Sequence, residues 1–370
     1  MIVEIFVSFL IFFAVWSLGI YGYRNYTTPV GLESTNVWSV HGVFETYSDS
    51  VAQKSWDVIG EQLKNYPEIE SFAFGSPNFP YHNSSMSTDF DYKSKNVRSE
   101  VVNVEPDYPK VMGLNVIKGA WFTKQDTINP TYKLSIITQH LAEELFGKEE
   151  PIGKLLNEKE SHPQKIIGVV ANYKQSNDFE PPGNTMFFPL EDRKHCDLLL
   201  KVKPDVGAEF QTKLSKQLAH LGNNWNVEIT RMQKKREEKD RAFWVSGLIV
   251  LIVCGFLILN VAFGLFGVLF QTIYRRRGEI GIRRAMGATQ TQIMFQFVGE
   301  IVLIATLGAV VGLFFAIQFP LLHIFDVEAG VYVKAILLSL VSVYGLVILC
   351  AVFPSRQAAG VYPAGALHDE

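Results

Sequence analysis

Residues 243–270 form 28 consecutive positions without a charged side chain (FWVSGLIVLIVCGFLILNVAFGLFGVLF). A helix needs about 20 apolar residues to cross a hydrocarbon layer about 30 Å thick. A helix in a soluble core shows polar positions every few residues. This segment shows no polar face, so it predicts a membrane span. Three further stretches have the same character: 5–23, 297–319 with Glu300 as its only charge, and 335–353. Four spans are expected.

The first stretch could instead be a secretory signal. It lacks a basic start, having only Met1 and Glu4 ahead of it on that side, and no small-residue cleavage site follows. Tyr21, Tyr23, Arg24 and Tyr26 form an aromatic border suited to a membrane interface, so a retained anchor is expected. Basic residues in short loops set orientation. Arg275, Arg276, Arg277, Arg283 and Arg284 sit between spans two and three against the single acid Glu279. Residues 320–334 carry Asp326 and Glu328 against Lys334, and Arg356 follows span four. The positive-inside rule places the arginine loop and both termini in the cytoplasm and the long segment after span one outside. The basic stretch 231–241 points the other way, but long translocated segments are largely exempt from the rule.

The segment between spans one and two is far too long for a loop and can hold its own core. Short β-branched runs predict strands at 37–44, 71–75, 98–104, 134–138, 165–171, 197–202 and 226–230. Helices are expected at 49–65, 139–146 and 208–220. In the last, Phe210, Leu214, Leu218 and Leu221 share a face. The stretch 75–96, rich in Ser, Asn, Pro and Tyr, reads as an exposed excursion. Residues 231–241 run without Pro or Gly into span two and read as a helical stalk.

The near-balanced charge, −3 overall, argues against a nucleic-acid partner held by bulk electrostatics. The three cysteines, 196, 254 and 350, exclude a disulfide scaffold and a four-thiolate zinc site. Cys196 alone lies outside the spans and reads as a buried small residue. No phosphate-cradling Gly-rich loop, His-Glu-x-x-His helix or Gly-x-Ser-x-Gly elbow occurs. His140 with Glu143 and Glu144 reads as a solvated helix face, and His195-Cys196 as an isolated pair. No catalytic residue and no metal site is assigned.

Polar and small residues within the spans are candidates for packing or gating. Asn260 sits mid-span and is expected to hydrogen-bond a neighbouring helix. Glu300 lies near the inner end of span three, within reach of water or a loop arginine. Gly308 and Gly312 form a small-x-x-x-small face that permits close helix approach.

The loop after span two is the most specific feature. RGEIGIRRAM (277–286) can form a short helix with Ile280, Ile282 and Met286 as an apolar stripe. Gly287 suits a left-handed cap, and Thr289 with Gln292 matches a capping box opening the next helix. Composition alone allows an anchor on anionic lipid or a docking surface for a cytoplasmic protein.

RRRGEIGIRRAMGAT (275–289) resembles the signature of FtsX-like and MacB-like permeases of ATP-binding-cassette (ABC) systems. YPKVMGLNVIKGAWF (108–122), LAEELFGKEEPIGKLL (141–156), KIIGVVANYK (165–174) and PAGALHDE (363–370) are similar to further pieces of that family. The resemblance implies an α-helical membrane protein with four transmembrane helices and a mixed α/β extracytoplasmic domain inserted between helices 1 and 2. The layout would be helix one to residue 23, a MacB-like periplasmic core domain at 24–230 and a stalk at 231–242. Span two at 243–270, a cytoplasmic coupling loop at 271–296 and span three at 297–319 would follow. An outer loop at 320–334, span four at 335–353 and a cytoplasmic tail at 354–370 would complete it.

The resemblance further implies a permease in a bacterial inner membrane with its large domain in the periplasm. It would pair with a second copy or a paralogue and dock on cytoplasmic ABC ATPases. The chain itself would hold no cofactor, since ATP and Mg would be bound by the ATPase. Glu279, Ile280, Gly281, Arg283, Arg284 and Gly287 would form the docking element. Its stroke would rearrange the outer domain (mechanotransmission) to export or extract a peptide, drug or lipoprotein, with a periplasmic adaptor as a further partner. The alternatives are a signalling subunit that senses a ligand or acts on a cell-wall hydrolase, and a membrane-anchored enzyme. Members of the family usually carry a basic amphipathic helix before span one; only Met1 to Glu4 stand there here.

Overall fold

A computed structural model of the chain describes residues 1–43, 49–126, 132–158, 162–193, 195–221, 226–322, 325 and 327–359. Phe44, at the end of one expected strand, and the 363–370 motif lie outside the described residues. The chain divides into two compact units. One is Asn25–Phe243; the other joins Met1–Arg24 to Trp244–Glu370.

In chain order, α1 (Ile2–Thr27) leads to β1 (Val37–Val43), α2 (Asp49–Leu63), β2 (Ile69–Gly75), β3 (Ser87–Tyr92) and β4 (Lys95–Val104). Next come α3 (Tyr108–Met112), β5 (Val116–Gly119), β6 (Lys133–Thr138), α4 (Gln139–Phe146) and β7 (Leu155–Leu156). β8 (Gln164–Val170), β9 (Thr185–Pro189), β10 (Asp197–Val202), α5 (Ala208–Leu221) and β11 (Asn226–Arg231) complete the first unit's elements.

The strands form one mixed sheet in the order β11-β1-β10-β2-β4-β9-β6-β8-β5, with β3 on β4 and β7 on β8. β4/β9 and β6/β8 are parallel pairs; the other pairings are antiparallel. β2 meets β4 only at Gly75 opposite Val104, so the sheet narrows there into two lobes. Period-2 alternation decides what each strand buries. Trp38 and Val40 of β1 join Leu198 and Leu200 of β10 under α5, against Phe210, Leu214 and Leu218. Val37 and Leu199 face the other way, into a central cluster with Val102, Val104, Tyr108, Met112 and Phe187. A third cluster gathers Leu141, Leu145 and Phe146 of α4 over Ile137, Met186 and Phe188.

Sequence patterning missed β3, β5, β7, β9 and α3. β5 and β7 are too short to show a period. β9 is a five-residue buried run that ends on Pro189. The expectation of an exposed excursion at 75–96 is corrected. Phe79 and Tyr81 are 2% exposed in the central cluster. The backbone amide of Tyr81 donates to the carbonyl of Gln175 at 2.7 Å, and the Asn78 amide group donates to the carbonyl of Val101 at 2.7 Å. Polar side chains there satisfy the backbone of distant strands, which local composition does not reveal. Cys196 is buried, its thiol 3.2 Å from the carbonyl of Arg193, and burial pushes its pKa up.

A buried polar clamp holds the two ends of this unit together. Lys174 has no exposed surface; its ammonium donates to the carbonyls of Asn25 at 2.5 Å and Asp178 at 2.8 Å. Burial lowers its pKa. The guanidinium of Arg236 grips the buried Asp178 carboxylate through Nη2 at 2.5 Å and Nε at 3.1 Å, and reaches the Ser34 hydroxyl at 3.1 Å. Asp240 accepts from the backbone amide of Asp178 at 2.9 Å. Phe179 stacks between Tyr26 and Phe243, with centroids at 5.3 and 4.6 Å. The chain therefore enters the domain at Asn25 and leaves it near Arg236 through one hydrogen-bonded junction.

The second unit is helical. α6 (Met232–Arg275) runs unbroken for 44 residues, about 66 Å at 1.5 Å per residue. The short α7 (Arg277–Ala285) precedes α8 (Gln290–Ala316), α9 (Gln318–Leu321) and α10 (Ala329–Ala359). α1, α6, α8 with α9, and α10 are long and apolar enough to cross a membrane. α8 stops where Pro320 lacks the amide that would bond the carbonyl of Ala316. α1, α8 and α10 bury Ile5, Phe9, Ala305, Ala335 and Val343 together, and α6 adds Leu265 and Leu269, with Val261 partly buried beside them. From Trp244 to Phe263, α6 leaves nearly all its large apolar side chains exposed. Beside α1's last turn, Arg24 pairs with Glu328.

Arg236→Ala leaves Asp178 buried without its partner. A loss of about 3 kcal/mol is expected, near the low end for such pairs because Arg236 is itself partly exposed. Urea titration of the full-length protein, followed by the fluorescence of its domain tryptophans, measures it. A Cβ at Gly312 would meet Phe9 Cδ1 at 2.4 Å, whereas one at Gly299 meets nothing within 4 Å. Gly312→Val is therefore expected to cost about 1–3 kcal/mol and Gly299→Ala to be neutral or stabilising, in detergent melting curves.

Candidate functional site

α7 is set into its place by one residue. Ile280, 2% exposed, packs with Ile273 from the end of α6 and with Ile293 and Phe297 of α8. The expected stripe is thereby split, because positions 280, 282 and 286 do not share a helix face. Ile282 is 53% exposed and Met286 75%. Gly281 is buried. Gly287 adopts φ +100°, a left-handed conformation that favours glycine. Its amide donates to the carbonyl of Arg284 at 3.1 Å, and that of Ala288 to Arg283 at 3.0 Å, so α7's last carbonyls are satisfied.

The next helix opens with the capping box. The amide of Gln292 donates to Thr289 Oγ1 at 3.3 Å, and the amide of Thr289 to Gln292 Oε1 at 2.9 Å. The element is a helix, a cap and a helix, with a fixed turn between.

A polar chain runs along this loop. The Arg276 guanidinium donates to Glu300 at 2.9 Å, and Gln296 donates to the same carboxylate at 3.2 Å. Arg283 donates to Gln296 Oε1 at 2.7 Å and pairs with Glu279 at 2.5 Å. Arg284 donates to the carbonyl of Ala288 at 3.3 Å. Exposed pairs of this kind are worth about 0–1 kcal/mol each. Their effect is orientation: they fix α7's azimuth relative to the first turns of α8. Sequence reasoning expected water or a loop arginine at Glu300, and Arg276 is that arginine; it missed Gln296 as the link to Arg283. The signal was available, since Gln296 and Glu300 stand four apart on one helix face.

Three other span residues fall into two kinds. The Asn260 side-chain amide donates to the carbonyl of Phe256 in its own helix at 2.8 Å, not to a neighbouring helix among the described residues. This four-residue back-bond leaves the second N–H and the carbonyl oxygen of the amide open. Gly308 and Gly312 lie against α1. A Cβ at Gly308 would meet Ile5 at 2.9 Å and the carbonyl of Ile2 at 3.0 Å.

Comparison with known proteins adds two family matches: MacB-like periplasmic core domain over residues 7–217, and FtsX-like permease C-terminal over 246–363. The macrolide export ATP-binding/permease protein MacB of Bdellovibrio bacteriovorus is 24% identical over 306 residues, 78% of this chain and 46% of that protein. The uncharacterized ABC transporter permease YknZ of Bacillus subtilis is 24% identical over 237 residues, 62% of this chain and 59% of that one. The chain thus spans less than two thirds of the length of these relatives. The crystal structure of the periplasmic region of MacB from Actinobacillus actinomycetemcomitans aligns with a TM-score of 0.40 at 16% identity. The alignment covers 56% of this chain and 94% of that one.

The split of the stripe predicts unequal effects of one substitution. Ile280→Asp should release α7 and speed tryptic cleavage at its arginines at least tenfold, because a buried unpaired carboxylate outweighs the loop's remaining contacts. Ile282→Asp should leave cleavage unchanged. Limited proteolysis of the full-length protein in detergent distinguishes them.

Proposed function

Because this chain belongs to the FtsX-like and MacB-like permease family of ABC systems, we propose that it is a transmembrane subunit driven by a separate cytoplasmic ATPase. α7 is the docking element. The observation that carries the reading is α7's fixed seat: Ile280 and the polar chain immobilise it, while Ile282, Met286 and the Glu279–Arg283 pair remain exposed. An apolar stub beside charged groups suits a groove with complementary charge, and arginine can bind its acids bidentately.

In this reading the ATPase binds ATP and Mg, and the permease holds neither. The arginine loop and both termini face the cytoplasm, consistent with the positive-inside rule, and the α/β domain faces the periplasm. A push on α7 is passed to α8 through Gln296 and Glu300, and to α6 through Ile273. It reaches the periplasmic domain along α6 and through the Arg236–Asp178 junction. A second permease copy or a paralogue covers the apolar flank of α6. The work done is export or extraction of a substrate such as a peptide, drug or lipoprotein.

The test is ATPase activity of the full-length permease reconstituted with its cognate ATPase. Glu279→Lys and Arg284→Glu should each cut permease-dependent ATPase activity roughly tenfold, equivalent to about 1.4 kcal/mol of lost coupling. Their melting temperatures should stay near that of the unmodified protein. Undiminished activity in both variants would overturn the docking assignment.

A further inference from the structure

Between β1, β11 and the first turns of α6 lies a polar cleft of about 540 Å³, separate from α7 and from the clamp of Lys174. Its α6 wall carries Lys234, Lys235, Glu238, Lys239 and Ala242, which recur at one-turn spacing on one helix face. His41 and Glu228 enter from the sheet, and His82 from the segment after β2. Lys234 and Glu238 stand 3.8 Å apart and offset each other. Among the described residues, neither Lys235 nor Lys239 has a carboxylate at ion-pairing distance. The Lys235 ammonium rests 4.7 Å from the centre of the Phe79 ring, half out of water.

Both imidazoles are held in place, and His82 keeps a donor free. His41 Nδ1 lies 2.6 Å from the Asp197 carboxylate, which is 1% exposed and fixes the ring. That carboxylate raises the His41 pKa. His82 Nδ1 accepts the backbone amide of Ser84 at 3.1 Å, so its proton resides on Nε2. The lining therefore offers the His82 N–H and two unpaired ammonium groups against Glu228, a set that selects an anion with several acceptor oxygens.

The cleft's place along α6 identifies the source. Phe243, the residue after Ala242, opens the 28-residue uncharged run. At 1.5 Å per residue, Lys239 stands about 6 Å and Lys235 about 12 Å before that run along the helix. The polar layer of a bilayer extends about 5–8 Å beyond its hydrocarbon edge on each side, so Lys239 stands within it and Lys235 one helical turn above it. We propose that this cleft binds the phosphate of an anionic phospholipid headgroup on the domain's own side of the membrane, through Lys239 and, from the turn above, Lys235 and His82. The proposal does not depend on ATPase docking at α7.

The test uses the full-length protein in nanodiscs of phosphatidylcholine and phosphatidylglycerol mixed in equal parts. Co-purifying lipid is then read by native mass spectrometry. The unmodified protein should retain phosphatidylglycerol over phosphatidylcholine by roughly tenfold. Lys235→Glu with Lys239→Glu should abolish the preference, and so should the milder His82→Ala with Lys235→Ala. Lys213→Glu with Lys216→Glu, an equal charge change on exposed α5, should keep it. A preference that survives both cleft variants, or no preference at all, overturns the site. Displacement of the lipid by millimolar inorganic phosphate, with phosphate bound equally in pure phosphatidylcholine, overturns the headgroup assignment in favour of a soluble phosphate.

Discussion

An uncharged helix too long for a soluble core dictates how the rest of the molecule is arranged. In hydrocarbon every backbone polar group must be satisfied within the helix. Where α6 leaves that environment its side chains supply polar contacts to other elements, and there they cluster. Toward its start, Arg236 and Asp240 bond the Asp178 segment; at its end, Ile273 and Arg276 meet α7 and α8. Between these points the helix makes few contacts with its own bundle, and Leu265 and Leu269 supply much of its buried apolar surface. In the proposed cycle, a helix so lightly held along its length is steered from its ends.

The two kinds of polar junction differ in energetic character. Asp178 and Lys174 are removed from water, so each depends on its partners and loss of one is expensive. The loop chain from Arg276 to Glu279 is exposed, and its members exchange readily with solvent. The domain end therefore depends on buried charged partners, whereas at the loop end the buried Ile280 seats α7 and the exposed pairs only set its azimuth.

Legibility in the sequence followed the range of the interactions. Thr289 and Gln292 announced their capping box because both partners lie within four residues. Gly287 announced its left-handed turn, and Gly308 and Gly312 their close approach to a neighbouring helix. The four spans were visible because lipid imposes a length that composition alone must meet. The excursion at 75–96 was misread because Phe79 and Tyr81 are buried by strands and by Gln175, far away in sequence. β9 was missed because its neighbours β4 and β6, not its own pattern, make it a central strand. Asn260 shows the opposite case: one of its amide hydrogens is taken by a local bond to Phe256, where a distant partner was expected.

The α7 stripe shows why type and spacing alone fall short of a site. Ile280, Ile282 and Met286 are equivalent in composition, yet only Ile280 turns toward Ile273, Ile293 and Phe297. Successive even positions diverge on a 3.6-residue helix, so one can anchor while the other is presented. Anchoring by Ile280 fixes which charges face outward, and Gln296 then holds Arg283 in that orientation. In the proposed docking role, the specificity of the loop thus resides in a buried apolar contact and a neutral amide, not in the arginines that make it conspicuous. A surface of free arginines would bind any acidic partner or lipid. Arginines held at a set azimuth beside an exposed isoleucine can discriminate by shape.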